Sequence, residues 1–420
     1  MTTVAVIGAG WAGIAAAVHA AERGHAVVLF EMARQLGGRA RTVEQGGARL
    51  DNGQHILIGA YTQTLALMAA VGVDPARVLL RLPLALTTPD GRGLRLPPGA
   101  PIPAFVRGVL AQRGWPLSDR LSLLRHATAW SLRGFACDPM STVAVLCRGL
   151  PASVRRELIE PLCVAALNTP AQDASALVFL RVLRDALFNG AGSADLLLPM
   201  RPLGDLLPDA AGDWLRARGA QVRLASRVQT LHAAARQWRV DDEPFGRVVL
   251  ACSAVEAARL AGAHAPGWSA RAQALRYEPI ISVVVDWQGT RLPAPMLALT
   301  GGPAQFVFDQ GLLGGVSGRL VFAISGAQRW VDAGLDSTAQ AALEQARDQL
   351  AAYAGSVQPV VVSTMAERRA TFRCSPGLER PGMHVADGLL AAGDYVDGPY
   401  PATLEGAVRS GRSAALAIGA

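Results

Sequence analysis

The first thirty residues combine a short apolar segment with three closely spaced glycines, and this combination limits the possible fold most strongly. Val4–Ile7 is an apolar run rich in β-branched residues, which predicts a buried strand. Gly8, Gly10 and Gly13 follow at once in the spacing G-x-G-x-x-G. The next segment, Ile14–Arg23, is rich in alanine and predicts a helix with an apolar face. A strand, a glycine turn and a helix in this order begin an α/β unit.

Each glycine in this turn has its own physical role. Gly8 permits a tight turn, Gly10 lets the backbone approach a pyrophosphate, and Gly13 lets the helix pack closely on the strand. The N-terminus of the helix faces the phosphate charge. A second buried strand is predicted at Val27–Phe30, and Glu31 at its end is placed to accept hydrogen bonds from ribose hydroxyls. Because these features occur in order, they predict a dinucleotide-binding unit rather than an ordinary glycine-rich turn.

The composition indicates a large hydrophobic core and more than one domain. Hydrophobic residues make up 51% and charged residues 17% of the chain. Its length of 420 residues is typical of about two to three domains. Predicted strands alternate with helices, as is typical of the α/β class. No C-x-x-C spacing occurs, so we expect a reducing cytoplasm and neither a metal site nor a disulfide framework. The five cysteines are Cys137, Cys147, Cys163, Cys252 and Cys374.

The net charge of +7 comes entirely from arginine, because the 40 basic residues include no lysine. This absence excludes a lysine Schiff base, a Walker-type phosphate loop and a catalytic lysine base. Two explanations of the arginine excess stay open, a general composition bias and contact with an anionic surface. No nucleic-acid partner is expected.

A basic and apolar segment lies between Pro97 and Leu150. Six arginines but only two acidic residues occur there, together with apolar residues such as Leu121 and Trp130. The pattern favours either a solvated basic face over a core stripe or a patch that contacts a membrane surface. The N-terminus leads directly into a strand and no long uncharged apolar run occurs, so neither a signal peptide nor a membrane-spanning helix is expected.

The middle of the chain predicts a helical region followed by strands. Tyr61–Gly192 is predicted to be mostly helical and loop-like, with a proline-rich break at Pro97–Pro103. Leu197–Pro208 is predicted to be a loop that leads into a helix. Ala220–Leu224 and Arg227–Leu231 show alternation that predicts two strands. Later strands are predicted at Tyr277–Trp287, Gln305–Phe308, Arg319–Ile324 and Val360–Ser363, with a helix at about Ser337–Ala354.

A second glycine element follows the first unit. It is Gly37-Gly38-Arg39-Ala40-Arg41-Thr42, and Asp51-Asn52-Gly53 comes after it. With these G-G-R-x-x-T and D-x-G elements, the chain resembles the flavin-dependent family that includes carotenoid desaturases and amine oxidases. The resemblance implies an α/β fold with a Rossmann-type FAD-binding domain, of the glutathione-reductase-like or amine-oxidase-like kind. It also implies an inserted α+β substrate domain that carries a mixed β-sheet and a helical region.

The same resemblance implies two discontinuous domains. Residues 1–60, 195–275 and 380–420 would form the FAD-binding domain. Residues 61–194 and 276–379 would form the substrate-binding domain, and residues 97–150 would be its helical part and a candidate for contact with a membrane.

The resemblance also implies contacts with FAD. Val228 matches a valine whose backbone meets the adenine, and the aspartate of Gly393-Asp394 matches one that binds the ribityl or pyrophosphate part. Pro401-Ala402-Thr403 opens a helix whose N-terminal amides would face the O2 side of the flavin ring. No cysteine lies in residues 388–407, so the FAD is expected to bind non-covalently. The predicted cofactor-binding residues are Gly8, Gly10, Trp11, Ala12, Gly13, Glu31, Met32, Gly37, Gly38, Arg39, Asn52, Gly53, Gln54, Val228, Gly393, Asp394, Pro401, Ala402 and Thr403.

Further motifs resemble one branch of this family, the hydroxysqualene dehydroxylases. They include Asp51-Asn52-Gly53-Gln54-His55, Ala166-Leu167-Asn168-Thr169-Pro170 and the run from Tyr400 to Val408. That branch uses reduced FAD to replace the hydroxyl of hydroxysqualene with hydrogen, which gives squalene for hopanoid synthesis. Three alternatives stay open: an oxidative polyene desaturase, an amine oxidase and a non-catalytic dinucleotide-binding module. The missing lysine, and Thr403 where amine oxidases hold an aromatic residue, disfavour the amine oxidase.

A dehydroxylase needs a proton donor near the substrate hydroxyl and a dry tunnel for two long polyprenyl arms. The predicted catalytic residues are His55, Asp51 and Tyr395, and Asp173 is a further candidate acid. Structural alternatives stay open for all of the predicted catalytic residues: a hydrogen bond within its loop for His55, loop capping for Asp51 and packing for Tyr395.

The resemblance and the residues together predict the partners of the chain. Only one G-x-G-x-x-G unit occurs, with no second unit for a nicotinamide cofactor and no cysteine pair suited to a redox relay, so an external electron donor is expected. The substrate would be a long-chain isoprenoid, hydroxysqualene, with squalene as the product. Since such hydrocarbons are nearly insoluble in water, we expect a cytoplasmic protein that associates peripherally with the inner face of the membrane.

Overall fold

The structure is a computed structural model that describes residues 2–45, 47–187, 190–235 and 237–419. In chain order, its strands are β1 Thr3–Ile7, β2 Ala26–Phe30, β3 Thr42–Gln45, β4 Ala48–Asp51, β5 Leu57–Ile58, β6 Leu79–Leu82, β7 Ala85–Thr87, β8 Gly93–Arg95, β9 Leu196–Pro199, β10 Gln221–Arg223, β11 Leu231–Ala234, β12 Gln237–Val240, β13 Glu243–Phe245, β14 Arg247–Leu250, β15 Tyr277–Asp286, β16 Met296–Ala298, β17 Phe306–Asp309, β18 Arg319–Ile324, β19 Val360–Phe372, β20 His384–Ala386 and β21 Leu389–Ala391.

The helices, in chain order, are α1 Trp11–Glu22, α2 Thr62–Ala70, α3 Pro75–Val78, α4 Pro101–Ala111, α5 Leu117–Leu132, α6 Val143–Leu146, α7 Ala152–Val154, α8 Glu160–Leu167, α9 Ala176–Leu187, α10 Leu203–Leu206, α11 Pro208–Ala217, α12 Ala254–Ala261, α13 Pro266–Gln273, α14 Gln328–Ala333, α15 Leu335–Gln349 and α16 Leu404–Ala417. A π-helical turn at Arg155–Ile159 precedes α8, and a 3₁₀ turn at Ala351–Tyr353 follows α15. Within the described ranges, each helix is too short or not apolar enough to cross a membrane.

Six strands form a mostly parallel sheet in the order β10-β2-β1-β14-β21-β20. β1 pairs in parallel with β2 and with β14, so that Val4 lies opposite Val27 on one side and Arg247 on the other. β20 runs antiparallel to β21 at one edge. The consecutive elements β1, α1 and β2 confirm the predicted Rossmann-type unit, because a helical crossover is what joins two parallel neighbours.

Apolar side chains cover both faces of this parallel sheet. On one face lie α1, α11 and α16, where Ile14, Leu215 and Val408 are buried. The other face is covered by α12, α13 and the antiparallel sheet β11-β12-β13, around Phe245 and Trp268. Burial on both faces explains why the sheet's central strands are continuous apolar runs rather than alternating ones.

A second sheet has five strands in the order β16-β17-β18-β15-β19, and its neighbouring strands are antiparallel. One face buries Val283 and Phe322 against α15. The other face shares a core with the helical region of the chain, where Val284 and Phe308 lie in the same cluster as Phe179. The predicted α+β region with a helical part is therefore confirmed.

The predicted loop at Leu197–Pro208 is wrong in its first residues. Leu196–Pro199 form β9, which pairs on one side with β5 and on the other with β6. All four residues of β9 are buried between these partners. An apolar run without alternation cannot by itself distinguish a central strand from other buried segments, and here the two partner strands decide the outcome.

The predicted strand at Arg227–Leu231 is also wrong, because the ladder begins only at Leu231. Gln229 N and Thr230 N instead donate to the carboxylate of Asp241, at 2.9 and 2.7 Å. The Asp241 side chain thus accepts hydrogen bonds from backbone N–H groups that would otherwise pair with a neighbouring strand.

The predicted helical region Tyr61–Gly192 contains three strands, β6, β7 and β8, that the sequence did not indicate. The proline-rich break also ends earlier than predicted, since Pro101 and Pro103 lie in the first turn of α4. Proline is tolerated there because the first N–H groups of a helix have no intrahelical partner.

Gly411 on α16 is in direct contact with α1, and a Cβ there would lie 2.1 Å from the Ala12 carbonyl oxygen. We expect Gly411→Ala to force the two helices apart and to lower the free energy of unfolding by about 1–3 kcal/mol. Chemical denaturation of the apoprotein measures this change. Gly267→Ala in α13 is the matched control, because no atom lies within 4 Å of the added Cβ and alanine favours a helix more than glycine does. Equal effects of the two substitutions would contradict the close packing.

Candidate active site

A cavity of about 590 Å³ lies between the parallel sheet and the five-stranded sheet. Its first half is lined by the ends of β1, β2 and β14, at Gly8, Glu31 and Cys252. Its second half is lined by side chains of β15, β17 and β19, including Ser282 and Phe308. The volume is in the range typical of small-molecule sites. A continuous space therefore connects the predicted dinucleotide site with the second sheet.

Two glycine turns pack against each other in the first half of the cavity. Gly8 has a φ of +104°, and a Cβ there would lie 2.7 Å from the Ala251 carbonyl oxygen. Gly37 N donates to Ala9 O at 2.9 Å, and Gly37 also forms a parallel bridge with Gly10. The first turn of α1 has no side-chain cap. Free backbone N–H groups beside tight glycine turns fit a pyrophosphate.

Gly13 lies behind this turn and does not line the cavity. A Cβ at Gly13 would lie 1.8 Å from the Gly8 carbonyl oxygen, so only glycine allows α1 to pack this closely. The close helix–strand packing predicted from the third glycine is thereby confirmed.

Glu31 ends β2 and is held by two backbone hydrogen bonds. Its Oε2 accepts from Ala9 N and its Oε1 from Ala33 N, both at 2.8 Å, and the residue is only 7% exposed. The carboxylate lines the cavity. Each oxygen keeps a lone pair in a fixed position, which suits a ribose hydroxyl donor.

Arg39 lies between the two halves of the cavity and joins three parts of the chain. Its Nη2 lies 2.5 Å from Asp394 Oδ1, and its Nη1 donates to Ala370 O at 2.7 Å. Asp394 belongs to the predicted G-D element after β21, whereas Ala370 lies on β19. Both charged residues line the cavity, and the guanidinium is already paired with a carboxylate.

The C-terminal helix α16 begins at the cavity. Thr403 is its N-cap: the Oγ1 accepts from Gly406 N and donates to Tyr400 O, both at 2.9 Å. Ala402 before it has a φ of +57°, in the left-handed region that non-glycine residues rarely adopt. Ala402 and Thr403 line the cavity and Pro401 does not. The cap directs the first turn of the helix toward the space where the resemblance places the flavin ring.

A buried carboxylate fixes this helix in place. Glu405 is 0% exposed and accepts from Thr64 N at 2.9 Å and from Thr64 Oγ1 at 2.8 Å. Arg409 Nε, one turn further along α16, lies 2.7 Å from Glu405 Oε1. Because both carboxylate oxygens of Glu405 accept hydrogen bonds, the network ties α16 rigidly to α2.

The structure brings most of the predicted cofactor-binding residues together. All of them line the cavity except Gly13 and Pro401, which support its walls. Val228 and Met32 extend the lining beyond Glu31, and the Val228 carbonyl oxygen accepts from Arg259 at 2.9 Å.

His55, one of the three predicted catalytic residues, lines the cavity. Its Nδ1 lies 2.9 Å from the Gly53 carbonyl oxygen, which can only accept, so Nδ1 carries the proton. Burial lowers the pKa of His55 below its ordinary value, with nearby Arg39 acting in the same direction. The neutral ring therefore has an unprotonated Nε2, and its protonated form is a stronger acid than an ordinary imidazolium.

Asp51 and Asp173 are not brought to the cavity. Asp51 Oδ1 accepts from Thr42 Oγ1 at 2.8 Å and from Leu203 N at 2.9 Å, and burial raises the pKa of this carboxyl. Asp51 thus fastens the β3–β4 hairpin to the start of α10, as its loop-capping alternative requires. Asp173 lies on the exposed surface.

Tyr395 lines the cavity beside the G-D element and is 2% exposed. Its hydroxyl has no hydrogen-bond partner among the described residues. Burial keeps the pKa of this phenol well above its ordinary value. A Cβ on Gly393 would lie 2.5 Å from the Tyr395 ring, so the glycine is needed for the ring to fit. The phenol is therefore a hydrogen-bond donor and not a base.

The sequence did not indicate that Glu367 faces the cavity. It lies on β19 opposite Ile280, and its Oε2 accepts from Asn52 Nδ2 at 3.2 Å. Asn52 also donates to Arg39 O at 3.2 Å, so the carboxylate is linked to the loop that carries His55. Strand pairing between distant segments decides which side of β19 is inside, and a single sequence carries no signal for it.

The second half of the cavity is largely apolar. Phe306, Phe308, Ile280 and Met365 line it, with Ala165 and Ala166 of α8. Ser282 lies among them as a buried hydroxyl. Asn168, from the motif at residues 166–170, also reaches the lining, but its amide already has partners: Nδ2 donates to Glu278 O at 3.1 Å and Oδ1 accepts from Gly326 N at 2.7 Å. The second half of the cavity is thus an apolar chamber with a few polar groups in its lining.

Comparisons with known proteins agree with this architecture. Residues 11–419 match the family described as flavin containing amine oxidoreductase. A hydroxysqualene dehydroxylase from Rhodopseudomonas palustris is 30% identical over 440 residues, covering 98% of this chain and 97% of the relative. One from Zymomonas mobilis is 25% identical over 437 residues, covering 99% and 98%. A solved oxidoreductase from Methanosarcina mazei has a TM-score of 0.74 at 16% identity, over 98% of this chain and 99% of that chain.

The match spans nearly the whole chain, so the protein belongs to the flavin-containing amine oxidoreductases, and it is an FAD-dependent oxidoreductase. Within that family it groups with the hydroxysqualene dehydroxylases, its full-length relatives. The predicted family, fold class and cofactor are confirmed.

Glu31→Ala should weaken the binding of FAD. The change removes a charged acceptor from the ribose, with an expected loss of about 1.5–3 kcal/mol, or roughly tenfold to a hundredfold in Kd. Flavin fluorescence quenching during titration of the apoprotein measures this Kd. Glu22→Ala, on the exposed end of α1, is the control and should leave the Kd unchanged. Equal Kd values for wild type and Glu31→Ala would show that Glu31 is not the ribose ligand.

Proposed function

We propose that this protein uses reduced FAD to remove the hydroxyl of hydroxysqualene, giving squalene. The observation that carries the proposal is the single cavity, whose glycine-lined half fits FAD and whose second half is an apolar chamber. The full-length similarity to hydroxysqualene dehydroxylases supports the choice of substrate. An apolar chamber suits a hydrocarbon and gives an amine substrate few groups to bind.

The residues that would hold FAD form a continuous set along the cavity. Glu31 would bind the ribose, the turns at Gly8–Gly13 and Gly37–Gly38 the pyrophosphate, Asp394 the ribityl part, and the start of α16 the ring. We propose that binding is non-covalent. When bound and reduced, FAD supplies a hydride from N5.

The chain itself must protonate the substrate hydroxyl so that it leaves as water. We propose His55 as the donor: its Nε2, the ring nitrogen that is not bonded to Gly53, would first take up a proton from solvent and then pass it to the substrate hydroxyl. Burial lowers the pKa of this imidazole, so its protonated form gives up the proton more readily than an ordinary imidazolium does. Glu367 would orient the Asn52 side chain of the same loop through their 3.2 Å bond. Tyr395, which stays protonated, would donate a hydrogen bond close to Asp394 rather than to the substrate.

Anaerobic incubation of the dithionite-reduced holoenzyme with hydroxysqualene tests this function directly. We expect squalene, identified by mass spectrometry of the lipid extract, with one flavin reoxidised for each product molecule. In the same assay His55→Gln should lower the rate by about 100-fold or more, the size of a typical general-acid contribution. The oxidised enzyme should not desaturate squalene. Formation of dehydrosqualene from squalene would favour the polyene desaturase and overturn the proposed direction of electron flow.

We propose that the protein collects its substrate at a membrane, on the inner face, where it associates peripherally. The surface formed by α4 and α5 carries exposed apolar side chains, including Leu117 at 60% and Leu132 at 84%. Exposed arginines such as Arg107 and Arg125 lie between them. The inner side of the same helices buries Phe105 and Leu123 in the core, as both alternatives for this segment expect. The exposed leucines on the outer side are what support contact with a membrane.

The elements beneath this surface suggest a path by which the substrate could reach the main cavity. A small apolar gap under α5 is lined by Leu123, Trp130 and Leu162. Leu162 lies on α8, which also presents Ala165 and Ala166 to the main cavity. A polyprenyl arm would pass from the membrane surface along α8 to the apolar chamber.

Sedimentation with anionic liposomes tests the membrane contact. We expect binding at low salt that weakens as the salt concentration rises, because basic side chains near anionic lipid contribute roughly 1 kcal/mol each. Leu121→Asp should weaken binding at every salt concentration, whereas Val360→Asp, which places the same charge on an exposed site of β19, should not. Protein that stays in the supernatant at every salt concentration would contradict the proposal.

A further inference from the structure

We infer that Ser282 binds the hydroxyl of the substrate and so distinguishes the alcohol from its hydrocarbon product; this inference rests on the proposed function. Ser282 lies in the middle of β15 and is 2% exposed. Its Oγ has no hydrogen-bond partner among the described residues, and the residue lines the cavity. A buried hydroxyl without a hydrogen-bond partner is energetically unfavourable unless a ligand forms a hydrogen bond with it.

Other buried serines of the chain show the usual arrangement. Ser269 Oγ donates to Ala258 O at 2.6 Å, and Ser193 Oγ donates to Ala186 O at 2.6 Å. Both bonds tie one local segment to another, which is a structural role. Ser282 makes no such bond within the described chain, so its hydroxyl is available to a molecule in the cavity.

The surroundings of Ser282 are apolar on the cavity side of the sheet. Its partners across the ladder are Ala323 on β18 and Met365 on β19. Ile280, two residues earlier on the same face, and Phe306 on β17 also line the chamber. A single hydroxyl among these side chains provides one directional contact in a site that otherwise recognises hydrocarbon by shape.

Ser282 also lies where the two halves of the cavity meet. A Cβ on Gly53 would be 3.6 Å from Ser282 Oγ, so the loop that carries His55 passes directly over the serine. A substrate oxygen bound to Ser282 would therefore lie beside that loop, while the polyprenyl arms extend over the apolar side chains. The serine positions the oxygen and takes no part in bond breaking.

The position of Ser282 should also make the enzyme bind its substrate and its product with different affinities. The hydroxyl of hydroxysqualene can both donate and accept a hydrogen bond, so on binding it would give the Ser282 hydroxyl a hydrogen-bond partner. Squalene has no polar atom and leaves the serine without a partner again. The alcohol should therefore bind more tightly than the product, which favours product release.

Binding of each lipid to the oxidised holoenzyme tests the inference, with the shift of the flavin absorbance as the signal and detergent micelles as the carrier. Wild type should bind hydroxysqualene about tenfold more tightly than squalene, the value of one hydrogen bond. Ser282→Ala should bring this ratio close to one and leave the Kd for squalene unchanged. Ser337→Ala, which removes the hydroxyl of an exposed serine on α15, is the control and should keep the wild-type ratio.

Thermal unfolding separates recognition from a structural role. Ser282→Ala replaces an unpartnered buried hydroxyl by hydrogen, which should keep or raise the Tm, whereas loss of a structural hydrogen bond would lower it. A lowered Tm, or an unchanged binding ratio in Ser282→Ala, would overturn the inference while leaving the proposed function intact. A wild-type enzyme that does not prefer hydroxysqualene over squalene would likewise overturn the inference alone. Failure of the reduced holoenzyme to form squalene from hydroxysqualene would instead overturn the proposed function, and the inference with it.

Discussion

The ion pair between Arg39 and Asp394 holds three distant parts of the chain around one cavity. Arg39 follows the second glycine turn, Asp394 follows β21, and the same guanidinium donates to Ala370 O on β19 at 2.7 Å. The Asp394 side chain is only 9% exposed, so salt and water screen the pair weakly on that side. Because the Arg39 guanidinium joins Asp394, beside the parallel sheet, to Ala370 on the second sheet, the distance between the FAD half and the apolar chamber depends on this residue.

The parts of the fold that follow local rules could be predicted from the sequence. The turn at Gly8–Gly13 and the acid at Glu31 are specified within a single strand–helix–strand unit, and the structure places them as expected. Glu367 and Ser282 reach the cavity through pairing of β15 with β19, far apart in the chain. Asp51 is turned away by its bonds to Thr42 and Leu203, which no local pattern indicates.

The two halves of the cavity differ in chemistry, and their junction is where a reaction would take place. Backbone N–H groups and carboxylates line the FAD half, whereas Phe306 and Phe308 line the other. The loop at Gly53–His55 crosses between them, close to Ser282. In such a water-poor space the proposed proton transfer from His55 and the proposed hydrogen bond from Ser282 would be weakened less by solvent than at the surface. An apolar chamber also fits the proposal that the protein collects its substrate at a membrane.

In the proposed reaction, the carbon that bears the hydroxyl would receive a hydride directly from the reduced cofactor inside this cavity. Apoprotein reconstituted with 5-deaza-FAD that has been reduced with borodeuteride tests it, since the deuterium at C5 of that analogue does not exchange with water. Since C5 then carries one hydrogen and one deuterium in both orientations, incubation with hydroxysqualene in ordinary water should give a mixture of unlabelled squalene and squalene with a single deuterium at the carbon that carried the hydroxyl. Squalene that contains no label at all, or that carries the label at another carbon, would contradict direct transfer.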